Sequence, residues 1–193
     1  VELEAAKVLN TTYGASYDVN NTTDIPASID KGGHHYIKES TTGTLSGTVG
    51  DNVVITVVYT LDDKGTTDPT QPDGVADKYQ ADVVFNVVHG KWSDDSTSMT
   101  KVFTLTKDGK PSETGSYTLT DSDIPTSTAD TGYQAGSWNT DPEGETITKT
   151  GATYTYTYVA QARTITINYV DDSAAPVELE AAKVLNTTYG ASY

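Results

Sequence analysis

The sequence predicts a mainly β, α+β protein laid out as a tandem modular array. Three observations predict it. Short β-branched and aromatic runs are bounded by glycine, proline, asparagine and aspartate, as in VVITVVY at Val53–Tyr59 and ADVVFNVV at Ala81–Val88. There are 13 tyrosines against 2 phenylalanines and 1 methionine, and tyrosine, like the abundant threonine, favours a pleated, half-wet surface. Lastly, VELEAAKVLNTTYGASY occurs twice, as Val1–Tyr17 and as Val177–Tyr193. Self-identity at a fixed offset is the mark of a repeat array.

Residues 1–61 form the first segment. VELEA alternates apolar and acidic residues, which suits a strand with one wet face, whereas AAKVL could also be read as helix. NTTYGASYDVNNTTD is turn-rich. Ile25–Pro26 marks a loop, because a residue before proline avoids the α region. His35–Glu39 is a short strand and Val53–Tyr59 the strongest one. Residues 62–78, DDKGTTDPTQPDGVADK, hold five aspartates, two prolines and two glycines with almost nothing to bury, and read as an acidic linker.

Residues 79–160 form the second segment, with strands expected at Ala81–Val88, Met99–Thr106, Gly115–Leu119 and Ala152–Val159. Lys107–Lys110, KDGK, is a hairpin turn. Tyr154, Tyr156 and Tyr158 share one face of the last strand. Residues 161–193 begin a new copy, with a strand at Thr164–Val170 and a turn opened by Asp171–Asp172.

This order splits the first-type domain. The strand Thr164–Val170 leads into the second copy of the seventeen residues, and no equivalent precedes the first copy within the chain. A sheet lacking a strand exposes unpaired backbone groups. The residues after 161 of one molecule are therefore candidates to complete the first segment of the next, by strand donation into a head-to-tail polymer. The periodic reading also expects both copies of the segment to take one shape.

Lysine plus arginine is 12 and aspartate plus glutamate 27, a net charge of -15. The charge is spread along the chain, and the lack of a basic patch argues against nucleic acid. No apolar run approaches the roughly 18 residues of a membrane span, so no insertion is expected. Cysteine is absent, which excludes thiol catalysis and cysteine–zinc sites. No GxSxG, HExxH, phosphate loop or dinucleotide fingerprint is found, so no enzyme activity and no cofactor is expected.

Joined across the offset, TITINYVDD…VELEAAKVLNTTYGASYDV…DIPASIDKGGHHYIKESTTGTLSGTVGDNVVITVVYTLD resembles the MucBP (mucin-binding protein) repeat of Gram-positive surface proteins. Asn168-Tyr169-Val170-Asp171, Tyr13-Gly14-x-x-Tyr17 and Asp24-Ile25-Pro26 carry the likeness. His34–His35 departs from it. The resemblance implies a ubiquitin-like β-grasp domain. The second segment is similar to the streptococcal SHIRT repeat, through Asp73-Gly74-x-x-Asp77-Lys78-Tyr79, Gly90-Lys91-Trp92, Gly132-Tyr133 and Gly136-Ser137-Trp138. That likeness implies a rigid, elongated, β-rich stalk module.

The candidate site residues are few. Asp68, Asp73 and Asp77 supply oxygen ligands for calcium on a glycine-bearing loop, although their spacing is not that of an EF-hand. A solvated acidic linker is the plainer account of them. Trp92 and Trp138 suit the apolar face of a sugar ring, or else plug a leucine-poor core. His34 and His35 are adjacent on a strand, point to opposite faces and cannot share a metal. Lys101 is a conceivable isopeptide donor on an otherwise wet strand face.

The function expected is structural: a repeat unit of a cell-surface adhesin stalk or extracellular fibre in the cell wall of a Gram-positive bacterium, holding a distal head away from the cell. Neighbouring copies of the same repeat are the partners. The alternative is a glycan (mucin) binding module with host glycans as ligands.

Overall fold

The computed structural model describes residues 3–68 and 70–193. Val1 and Glu2 of the first VELEA, and Pro69 of the 62–78 segment, lie outside them. The described residues form seventeen strands. The first five are β1 (Ser16–Asp18), β2 (Ser28–Lys31), β3 (His34–Thr42), β4 (Ser46–Thr48) and β5 (Thr56–Leu61). Next come β6 (Gln80–Val88), β7 (Gly90–Trp92), β8 (Ser98–Thr104), β9 (Thr106–Lys107), β10 (Lys110–Pro111) and β11 (Tyr117–Thr118). The last six are β12 (Ser127–Ala129), β13 (Tyr133–Trp138), β14 (Thr146–Ile147), β15 (Ala152–Ala160), β16 (Ala162–Val170) and β17 (Glu178–Thr188). Apart from these there are 3-10 turns at Asp77–Tyr79 and Asp121–Asp123. The chain is mainly β, as the sequence predicts.

Strands pair in the order β13-β15-β6-β8 in one sheet and β2-β3-β5 in another; β1–β4, β7–β12, β9–β10, β11–β14 and β16–β17 are two-stranded. The KDGK turn joins β9 to β10, with Lys110 opposite Lys107 and positive φ at both central residues, Asp108 (53°) and Gly109 (74°). That is the twist a two-residue hairpin needs. β5 starts three residues later than the Val53 of the expected strand. Its partner β3 ends with Thr42 opposite Thr56, so Val53–Ile55 have no ladder to join.

The chain separates into two compact units, and strands β6, β8 and β15 contribute residues to both. Unit one comprises Val1–Val83, Thr100–Thr118 and Thr146–Ala152. Its buried apolar residues fall chiefly after residue 75: Ala76, Ala81, Val83, Val102, Phe103, Leu105 and Ile147. Between residues 3 and 61 only Val19 and Ile25 are buried hydrophobics. The β2-β3-β5 sheet has one half-covered face, on which β5 places Val57, Tyr59 and Leu61.

In unit one the 62–78 segment is a loop tied to itself. The Asp62 carboxylate, wholly buried, accepts hydrogen bonds from the Asp73 and Gly74 N–H groups at 3.2 and 2.9 Å. Asp77 Oδ1 accepts from the N–H groups of Asp63 and Lys64, both at 3.0 Å. Burial pushes the Asp62 carboxyl above its usual range, and the two N–H donors oppose this. Composition alone suggests a solvated linker because the same aspartates serve either structure.

Unit two comprises Val84–Met99, Leu119–Glu145 and Thr153–Tyr193. Phe85, Val87, Trp92, Leu119, Tyr154 and Tyr158 are buried in it. The aromatic stripe on β15 faces inward, with Phe85 stacked on Tyr154 at 5.8 Å and Tyr156 edge-on to Tyr158 at 4.9 Å. Such ring pairs add to the area they bury, which suits a core with so few leucines.

Candidate assembly surface

The feature that stands apart in unit two is the hairpin β16–β17. β16 alternates Ile165, Ile167 and Tyr169 with Thr164, Thr166 and Asn168, so its apolar residues share one face. The antiparallel register sets Ile165 opposite Leu185, Thr166 opposite Val184 and Ile167 opposite Lys183. Asp171 closes the connection. Its N–H donates to Val177 O at 3.0 Å, and its Oδ1 accepts from the Val177 N–H and the Ser173 hydroxyl, both at 2.8 Å. Those donors, the Val177 N–H foremost, hold the Asp171 carboxyl below the usual carboxylate range.

The base of the hairpin is fixed and its length is not covered. Tyr189 lies edge-on to Tyr133 at 5.8 Å, and the Arg163 guanidinium sits 6.0 Å from the Tyr189 ring centre. Gly132, at φ 87°, faces the same ring; a Cβ there would come within 2.3 Å of it. Gln161 completes the anchor, its N–H donating to Gly132 O and its carbonyl accepting from the Tyr189 N–H, each at 2.9 Å. Beyond the anchor Ile167, Tyr169, Val184, Leu185 and Leu179 are 38–68% exposed. A lone two-stranded ribbon is marginal in water, and its exposed aliphatics lie on both faces, Ile167 and Leu185 on one and Val184 on the other.

The first copy of the same seventeen residues behaves otherwise. Residues 3–15 contain no strand, and only Ser16 and Tyr17 enter one, β1, which pairs with β4. Lys7 Nζ meets Asp24 Oδ1 at 2.5 Å, Lys31 Nζ donates to Leu3 O, and the Glu4 carboxylate adds to the burial that raises the Tyr59 hydroxyl. The segment therefore follows the residues from Asp24 to Lys31 that lead through β2, with Val8 and Leu9 exposed at 78% and 53%. The two copies agree across one turn: Ala15 N–H donates to Thr12 O and Ala191 N–H to Thr188 O, both at 3.1 Å, with φ 81° at Gly14 and 74° at Gly190.

The expectation of one shape for both copies is thus corrected upstream of the Tyr-Gly turn. The physical reason is the partner. Val177–Tyr193 follows β16 and pairs with it; the first copy has no such strand before it within the 193 residues. The helical alternative for AAKVL is not adopted in either copy.

The residues singled out from the sequence are not gathered into a ligand site. Asp68 Oδ1 accepts from the Thr70 N–H and hydroxyl, Asp73 Oδ2 from the Gln80 side chain and the Thr66 N–H, and Asp77 from two backbone donors. Among the described residues no group of three or more His, Asp or Glu is placed to hold a metal ion. Trp92 is 1% exposed, donates its indole N–H to Phe85 O at 3.0 Å and stacks on Trp138 at 6.1 Å. Neither face of Trp92 is open to a sugar, and Trp138 is half-buried. His34 and His35 do point apart, His34 to Asp63 and His35 to Asp30.

Sequence reasoning missed the Tyr189 anchor. Gly132-Tyr133 and Tyr189-Gly190 are both visible as glycine–aromatic pairs, but nothing in their spacing says that they meet. No protein-family model, no curated protein and no solved structure matches the chain.

Proposed function

We propose that this chain is a repeating structural unit of an extracellular stalk or fibre on a bacterial cell surface, carrying a distal head away from the cell. One observation carries the reading. The segment Val177–Tyr193 repeats Val1–Tyr17 letter for letter, so the chain that follows β16 re-enters the sequence that opens the first segment. The MucBP and SHIRT resemblances agree with it, and so does the acidic surface, since charge of one sign discourages neighbouring units from clumping. The two copies differ in shape upstream of the Tyr-Gly turn, against the single shape that periodicity predicts, so the repeat reading stands on the sequence identity alone.

The test is length. A chain of two periods, residues 1–193 followed by 18–193, should show a maximum dimension by small-angle X-ray scattering that exceeds that of one period by on the order of 80–110 Å, a few strand-lengths per domain. A two-period chain no longer than one period rejects the stalk. A glycan array separates the alternative: a structural unit gives no saturable binding, whereas a mucin-binding module does.

A further inference from the structure

We propose that the loop between β5 and β6 binds a calcium ion, held by the buried side chains of Asp62 and Gln80 and by Asp73, which touches both. Of the three aspartates singled out from the sequence, Asp73 alone is a member. None of the three ligands lies in the repeated seventeen residues, so the site and the stalk reading can fail separately.

Gln80 opens β6 and is 1% exposed. Its Nε2 donates to Asp73 Oδ2 at 2.9 Å, which fixes the amide and leaves Oε1 as the free end. That oxygen is buried and has no hydrogen-bond partner, the one such side-chain atom among the described residues. A buried acceptor with no donor has given up its hydration for nothing, and a native fold keeps one where a water or an ion comes to it.

Charge selects the ion. Asp62 is wholly buried, and its two acceptor bonds come from neutral main-chain groups, the N–H of Asp73 and of Gly74. Asp73 accepts from the Val75 N–H at Oδ1, and from the Thr66 N–H and Gln80 at Oδ2, again all neutral. The lysines that reach this loop are engaged by other groups: Lys64 by the Asp82 carboxylate, Lys149 by the Asp77 and Gln80 carbonyls. The His35 ring pairs with Asp30. Burial, and with it the charge of Asp73, works against ionised Asp62, and a buried carboxylate is ordinarily paired or on a metal. Two carboxylates and an amide carbonyl are hard oxygen donors, which suit calcium and not zinc. Calcium accepts an irregular shell of roughly 6–8 oxygens, so main-chain carbonyls and water can complete it. Magnesium demands a near-ideal octahedron and dehydrates reluctantly, which an enclosed site disfavours.

Calorimetric titration of the chelator-treated full chain with calcium chloride tests it. A single site should fill at or below about 1 mM, and the melting temperature should rise with calcium and much less with equal magnesium. Gln80→Met keeps the buried length and removes the oxygen; Asp62→Asn keeps the acceptor and removes the charge. Each should weaken calcium binding by about tenfold or more, since affinity follows ligand number and charge, with circular dichroism confirming that the strands remain. If Gln80→Met does not fold, Asp62→Asn decides. Asp108→Asn, on the exposed KDGK turn, should bind calcium as the parent does. A parent chain that gives neither heat nor a melting shift overturns the inference. So does an equal response to magnesium, which is screening of the net charge of -15, or a folded variant at Gln80 or Asp62 that binds as tightly as the parent. None of these results touches the two-period length, which decides the repeat reading.

Discussion

Val1–Tyr17 and Val177–Tyr193 have the same side chains in the same order, yet among the described residues their structures coincide only at the turn Thr12–Ala15 and its counterpart Thr188–Ala191. The turn is written locally. Glycine at its third position takes a positive φ that other residues resist, so Tyr-Gly bends the chain wherever it stands. The strand is not local. VELEAAKVLNTT becomes eleven residues of β17 where β16 runs alongside, and stays without secondary structure from Leu3 to Thr12 where nothing does. β propensity describes fitness for a pleated surface and not a backbone preference of its own.

The strongest test of this difference supplies the missing partner. Placing a second copy of Ala162–Pro176 ahead of Val1 should convert residues 2–12 into a strand. Amide hydrogen exchange should fall there to the level of β17 in the same molecule; exchange that stays fast would show that the first copy resists pairing for another reason.

The converse removes the partner. Ile165→Pro takes out a backbone donor that faces β17, since the Tyr189 N–H bond to Gln161 O sets the odd-numbered residues of β16 in the hydrogen-bonded pairs, and a ribbon of two strands has little reserve to absorb that loss. Protection across Glu178–Thr188 should collapse while that of β6 is kept. If β17 remains protected, some contact other than β16 is holding it.

The identical tyrosines then separate by context. Tyr189→Ala removes a ring packed on Tyr133, Gly132 and Arg163 and should cost about 0.5–1.5 kcal/mol beyond the area lost. Tyr13, at 87% exposed, should tolerate the same change within about 0.5 kcal/mol. Thermal unfolding of the two variants side by side measures the contrast.

The smallest effect concerns the identical lysines. Hydrogen bonds from Lys7 first, and then from Asn21, hold the Asp24 carboxyl below its usual range. A depressed folded-state value means that the pair stabilises the chain above the ordinary carboxylate range and loses that contribution as pH falls through the folded value. Lys7→Ala should move the Asp24 titration upward by NMR, and Lys183→Ala in dilute solution should leave it in place.

Much of the fold is legible in the residues. β6 covers the strand expected at Ala81–Val88, burying Ala81, Val83, Phe85 and Val87 and turning Asp82 and Val88 out. β15 runs Ala152–Ala160, one residue beyond the run ATYTYTYV. Other features depend on partners distant in sequence. β5 is displaced from VVITVVY because β3 stops at Thr42. The assembly surface is half legible: the repeat shows that a hairpin leads into the segment, but the meeting of Tyr189 with Gly132 is a tertiary contact with no periodic signal. The aspartates of 62–78 mark a polar segment, and nothing in their spacing says which N–H groups they bind.

That last loop closes on itself. Asp62 is fastened to Asp73 and Gly74, and Asp77 to Asp63 and Lys64, so four carboxylate bonds draw the end of β5 and the start of β6 together. The residues they enclose contribute none of these carboxylates, and insertions at the exposed Thr70–Gln71 tip should leave both strands in place.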